Sequence, residues 1–223
     1  YISVVDSEKA NVILSYWPDA FVVLVPNLGR DVAPFLSILP YVVEYDYEAV
    51  LKIHTKKSTH RQDGDLWRRY IFNQILPAGE VSTEILRKFR DDKSIGLIAP
   101  DGHLPTLEYF WGQNRPWLNR LARRYGLPQP TGKELFIAGT MFWFKPCALA
   151  PLVEDCIHCG DFWYDTQGNI DGSLAHAMER FFSILAEDHG YLTREVSALL
   201  GRETSFGSEQ WSALLGVGER SEI

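Results

Sequence analysis

At 223 residues, 46% hydrophobic and 13% aromatic, the chain is long enough for one compact core and too short for two domains of ordinary size. Twenty-two Lys and Arg against 29 Asp and Glu give a formal charge of −7, which disfavours nucleic acid and anionic lipid as partners. No apolar run approaches the ~18 residues of a membrane span, and three Cys argue against a disulfide scaffold and for a reducing, cytoplasmic compartment.

The chain opens on an apolar strand, Tyr1–Val5, with no cap or leader before it, as expected of one domain of a longer protein. A helix over Ser7–Tyr16, a strand over Phe21–Val25, a helix over Val32–Val43 and a strand over Ala49–His54 follow. That βαβαβ order predicts an α/β fold with a mostly parallel central sheet flanked by helices. Helices near Gly64–Leu76 and Val81–Asp91 lead to a strand, Ile95–Ala99. The stretch from Asp101 to Pro130 is a long loop around a basic segment, and loops of that length in a compact domain usually carry function. A strand over Leu135–Phe144, a helix over Ala148–Glu154, an aromatic loop at Phe162-Trp163-Tyr164 and a helix over Gly172–Asp188 complete a domain of residues 1–200. The tail, 201–223, lacks periodicity and is expected to be poorly ordered.

Asn27-Leu-Gly29-Arg30-Asp31 falls between a strand and a helix, where open α/β sheets bind ligands. Gly29 admits close backbone approach, and Arg30 beside Asp31 offers an oriented bidentate donor. The alternative is a turn with an Asp N-cap. Alternation puts Lys52, His54 and Lys56 on one face of the next strand. From Lys52 to Arg69 six basic residues face two acids, a local +4 that suits a diphosphate, with Ser58 as a hydroxyl donor. An ordinary solvated basic loop would read the same way. Arg115, Arg120, Arg123 and Arg124 form a further basic stretch, read more simply as a solvated helix face.

In the strand around Phe136–Trp143, Gly139 and Thr140 mark a bulge or a close ligand approach, and Trp143 is an aromatic able to stack on a sugar. On the last helix His176, Glu179 and Arg180 share the face opposite Leu174, Met178, Phe181 and Leu185. Facing a cleft, Glu179 could accept a proton from a hydroxyl; facing water, the three are only a polar surface. Cys156-Ile-His158-Cys159 has no second ligand pair, so a zinc site is not expected.

Four segments taken in order, Asn27–Leu36 (NLGRDVAPFL), Lys52–Ser58 (KIHTKKS), Ile137–Pro146 (IAGTMFWFKP) and Asp171–Phe182 (DGSLAHAMERFF), resemble the rhamnan synthesis F family over about Tyr1 to Tyr191. That resemblance implies polysaccharide synthesis by rhamnosyl transfer. More distantly the chain is similar to family 2 glycosyltransferases of the glycosyltransferase A fold, a Rossmann-like α/β architecture whose first strand has no counterpart in these residues. The likeness implies that Asp6 and Asn27 hold a nucleoside and that Glu179 is the catalytic base. It also implies an Asp-x-Asp element holding divalent Mg or Mn, but His54-Thr-Lys56 stands there, so direct neutralisation of the diphosphate by cationic side chains is expected instead.

The expectation is an inverting glycosyltransferase that moves a deoxysugar, L-rhamnose, from a nucleotide diphosphate sugar to a glycan or lipid-linked glycan acceptor. Glu179 and His54 are the catalytic candidates. Asp6, Asn27, Gly29, Arg30, Asp31, Lys52, His54, Lys56 and Ser58 are the donor-site candidates, and Gly139, Thr140, Trp143, Asp171, His176 and Arg180 those for sugar and acceptor. As cofactor, divalent Mg or Mn stays open as the alternative to none, the acidic metal motif being absent, and other domains of the same polypeptide are expected partners, holding the protein at the inner face of a membrane. The competing expectation is a noncatalytic glycan-binding domain that uses Trp143, Trp163 and Tyr164. A glycan hydrolase is disfavoured, because Asp171 and Glu179 lie about 12 Å apart along one helix.

Overall fold

The computed structural model describes residues 1–45, 47–55, 64–76, 80–155, 157–163 and 171–203. Along the chain the elements are β1 (Ile2–Val4), α1 (Ser7–Tyr16), β2 (Val22–Leu24), α2 (Val32–Glu44), β3 (Val50–Lys52), α3 (Gly64–Ile75), α4 (Glu80–Asp91), β4 (Ile95–Ala99), α5 (Arg115–Arg124), β5 (Phe142–Phe144), α6 (Pro146–Leu149), α7 (Pro151–Glu154), α8 (Leu174–Asp188), β6 (Leu192–Glu195) and α9 (Val196–Leu200).

The expected alternation of helix and strand is present, but the sheet is not mostly parallel. Among the described residues the strands form two sheets, a parallel pair β1-β2 and a four-stranded sheet ordered β3-β5-β4-β6. Within the second, β5 runs antiparallel to both β3 and β4, while β6 runs parallel to β4. The turn at residues 138–140 re-aims the chain before β5, so the strand expected over Leu135–Phe144 is confined to Phe142–Phe144. Pro151 starts a new helix, which divides the one expected over Ala148–Glu154. β6 and α9 were not foreseen, because Leu192-Thr-Arg-Glu195 has too little apolar content to read as a strand. The parallel pairing with the fully buried β4 selects it.

Helix α2 joins the two sheets. Its buried face, Val32, Phe35, Leu36, Leu39 and Val42, keeps a helical spacing. The helix lies against β1, and Phe35 meets Phe144 of β5 and Phe182 of α8 edge-on at 5.5 and 5.6 Å. On the other face of the four-stranded sheet, α4 packs Ile85 and Phe89 on Ile95, Ile98 and Val196, and α3 packs Ile71 and Ile75 on Met141. By contrast α1 buries no residue, although Asp6 caps it by accepting from the Lys9 backbone N–H. Among the described residues no helix is long and apolar enough to cross a membrane.

Candidate functional site

The carboxyl ends of β2 and β3 deliver Asn27–Asp31 and Lys52–His54 to the same place. Asp31 stands at the N-cap position of α2, yet its carboxylate makes no cap hydrogen bond. Its Oδ2 instead accepts from Lys52 Nζ at 2.7 Å and from the Thr140 hydroxyl. His54 Nε2 lies 3.7 Å from the same oxygen and donates to the Gly139 carbonyl at 3.0 Å. The turn reading of this Asp therefore fails: the side chain is spent on joining β3 to the 138–140 turn. Lys52 is 6% exposed, donates a second bond to the Thr140 carbonyl at 2.7 Å, and lies 5.2 Å above the Phe35 ring. Burial alone would raise the Asp31 pKa, but the charges of Lys52 and His54 and the Lys52 and Thr140 hydrogen bonds hold it well below the usual carboxylate range.

Two non-glycine residues among those described have positive φ, Arg30 at 57° and Thr140 at 52°, and both are here. For a β-branched residue this conformation is an outlier that costs about 1–3 kcal/mol, and strain of that kind concentrates at functional sites. In the same turn the Gly139 N–H faces α8, where Glu179 Oε1 accepts it at 2.6 Å. Arg180 Nη1 is 3.4 Å from Glu179 Oε2, and this guanidinium also donates to the Phe110 and His176 carbonyls at 2.9 and 2.7 Å. Glu179 is thus fixed at both oxygens and still about one-fifth exposed. Ser173 caps α8 and shares a 2.8 Å hydrogen bond with His176 Nδ1. Burial and the nearby Arg30 charge push the His176 pKa down, so the imidazole is neutral at pH 7.

A basic strand end, a strained Gly-Thr turn and a carboxylate on the facing helix thus meet in one place. The model of the family described as rhamnan synthesis protein F matches residues 2–191. The chain belongs to that family. It is also 39% identical over 175 residues to proteins described as uncharacterized protein WxcX from two strains of Xanthomonas campestris pathovar campestris, a match covering 78% of this chain and 25% of theirs. The chain therefore spans about a quarter of the length of these curated relatives. No solved structure matches it. Membership of the rhamnan synthesis family ties the chain to polysaccharide synthesis.

In this rhamnan synthesis F member the remaining candidates have different surroundings. Gly29 is buried, and a Cβ there would stand 2.6 Å from Phe162 Cγ, while Asn27 is exposed beside it. Asp6, at the end of β1, is engaged by the backbone and ammonium of Lys9. Asp171 is used structurally: its oxygens accept from the Gln113 N–H at 2.8 Å and the Asn114 amide at 2.6 Å. Trp143 is a correction. Flanked by Phe142 and Phe144, which face α2, it points to the opposite side of the sheet, donates to the Ile75 carbonyl at 2.7 Å and packs on α3, so it does not reach the site. Lys56, Ser58, Tyr164, Cys156 and the tail from residue 204 lie outside the described residues.

Asn114, Ser173 and the Phe110 carbonyl were not foreseen from the sequence. Their signal was faint: an Asn before Arg-Pro and a Ser before a helical run. At the described end of β3 the Asp31 Oδ2 is held by an ammonium and a hydroxyl, and the described residues hold no group of three or more metal-ligating side chains.

Proposed function

We propose that the chain is a glycosyltransferase domain that moves L-rhamnose or a related deoxysugar from a nucleotide diphosphate sugar to a growing polysaccharide, with inversion. The observation that carries this reading is Glu179, aligned by the Gly139 N–H and Arg180 at the rim of the cluster at the ends of β2 and β3. Glu179 takes the proton of the acceptor hydroxyl, the hydroxyl oxygen bonds to the anomeric carbon, and the sugar–diphosphate bond breaks with its electron pair on the diphosphate. Arg30, His54 and Lys56 oppose that developing charge. Lys52, committed to Asp31, acts behind them by fixing the Gly139–Thr140 turn. Neutral His176 offers a hydrogen bond to a sugar hydroxyl, Asp6 and Asn27 hold the nucleoside, and Asp171 sets the entry of α8.

The test is transfer from a panel of nucleotide diphosphate sugars to rhamnose-terminated acceptors. Glu179→Gln should lower kcat by about 10²–10⁴-fold and leave donor binding within a factor of about two; unchanged kcat would remove the base assignment. Activity should survive EDTA. One observation favours a noncatalytic glycan-binding domain instead: the Asp31 pair already consumes the Lys52 charge. That reading predicts no thermal shift with any nucleotide sugar.

A further inference from the structure

Lys52 and Asp31 hold the turn at residues 138–140 on its Thr140 side, but a Thr at φ 52° persists only where its surroundings over-determine it. A second hold comes from the loop that leaves β4. Because β3 and β4 both run antiparallel to β5, their carboxyl ends share one edge of the sheet. In that loop the His103 carbonyl accepts the Ala138 N–H at 2.9 Å. The next amide along, that of Gly139, is the one given to Glu179.

The loop is pinned at three successive residues. The Asp101 carboxylate accepts from the Ser197 backbone N–H at 2.8 Å and from its hydroxyl, and the Gly102 N–H donates to Glu195 Oε1 at 2.7 Å, which ties the loop to β6 and α9. His103 ties it to α3. The indole N–H of Trp67 can only donate, so imidazole Nε2 accepts it, at 2.6 Å. The proton of the neutral ring therefore sits on Nδ1 and is donated to the Asp101 carbonyl at 3.0 Å. The Tyr70 hydroxyl donates to the same carbonyl at 3.1 Å. With His103 only 1% exposed, its imidazole acts through the backbone and not on a substrate. An apolar side chain of that size would be cheaper to bury; what the imidazole adds is direction. Trp67 to His103, His103 to Ala138 and Gly139 to Glu179 make one run of short hydrogen bonds from α3 to the carboxylate.

We propose that His103 is a positioning residue: clasped by Trp67, it fixes the 138–140 turn and so the Gly139 amide on which Glu179 is aligned. Its bearing on transfer rests on the function proposed above. Two measurements test it: native-state hydrogen exchange of the Gly139 amide, set against Leu97 and Ile98 of β4, and kcat for transfer alongside the donor KM. Trp67→Phe keeps an aromatic ring and removes the N–H. It should speed Gly139 exchange about 5- to 10-fold beyond any change at β4, as for the loss of one hydrogen bond, and lower kcat by a similar factor with donor KM within about twofold. His103→Leu should do the same, while His103→Gln, whose amide oxygen can still accept from Trp67, should recover most of both. Equal acceleration at Gly139 and β4 would mean a general loss of stability and overturn the proposal. So would His103→Gln and His103→Leu behaving alike, or a faster Gly139 amide with kcat unchanged. Absence of transfer by the unaltered chain fails the transferase reading alone, and exchange then decides by itself whether His103 holds the turn.

Discussion

Lys52 and Asp31 carry the charge of the site in a paired form, and this is testable at the level of single side chains. Lys52→Met leaves a largely buried carboxylate without its ammonium partner, facing the Thr140 hydroxyl and His54, and should cost about 2–4 kcal/mol. Asp31→Asn in the same background should recover part of that loss, as denaturant unfolding of the two single variants and the double variant would show. The folded chain holds the Asp31 pKa below its unfolded value, so the unfolded chain takes the proton first as the pH falls. The stabilisation is complete above about pH 4 and is lost on acidification below it. Asp31→Asn should flatten that acid limb. His176 behaves alike in sign but in a higher window, because burial and Arg30 lower its folded pKa. Stability should fall as the pH drops from about 6.5, where the unfolded imidazole protonates, and His176→Gln should remove that slope. Unfolding free energies measured between pH 3 and pH 8 test both.

Among the elements, α8 and the turn before β5 do most to build the site, and they were legible to different degrees. The polar face of α8 followed from helical spacing, and the structure brings Glu179 and Arg180 to the Gly139 turn. The Gly-Thr interruption was visible, but its size was not, since nothing in Phe136–Phe144 announces a φ of +52° at Thr140. For the same reason Trp143 was misplaced: in a continuous strand it would share a face with Gly139, while the turn removes that relation. The clamp from Asp171 to Gln113 and Asn114 joins residues 57 or more positions apart, beyond the reach of local pattern. Asp171→Ala should cost about 1–3 kcal/mol by removing the acceptor of the Gln113 N–H and one of the two that the Asn114 Nδ2 uses. It should also raise amide exchange over residues 110–117. At the start of α2, Gly29→Ala would set a Cβ 2.5 Å from Ala33 Cβ with φ at +62°. A loss of about 2 kcal/mol or more is expected from strain and overpacking together, read from the shift in the urea midpoint.

For the whole molecule, the order of elements was clear in the sequence and the pairing of strands was not, because periodicity reports which residues are buried and is silent on which strands meet. β1, β2 and β3 look equivalent as short apolar runs, yet the first two pair with each other and the third pairs with β5. The two halves should also differ in resistance to opening. Among the described residues β1 and β2 form a two-stranded layer, tied to the core through α2 and flanked by a helix, α1, that buries no residue, whereas β4 is buried at every position. Amides of α1, β1 and β2 should therefore exchange through local opening at a free energy below the global value, and those of β4 and β5 only through global unfolding. Equal protection of both groups in native-state hydrogen exchange would contradict this.

The strand order also sets a schedule. Lys52 of β3 pairs with Phe142 of β5, and some ninety residues must be made between them. At ribosomal rates of about 5–20 residues per second, β3 waits roughly 5–20 s with its pairing edge open, already flanked by the completed α2. Its partner arrives only with the turn that carries Gly139 and Thr140, so β3 is paired and the turn set beside Asp31 in one step, while Glu179 of α8 and the last strand, β6, are made later still.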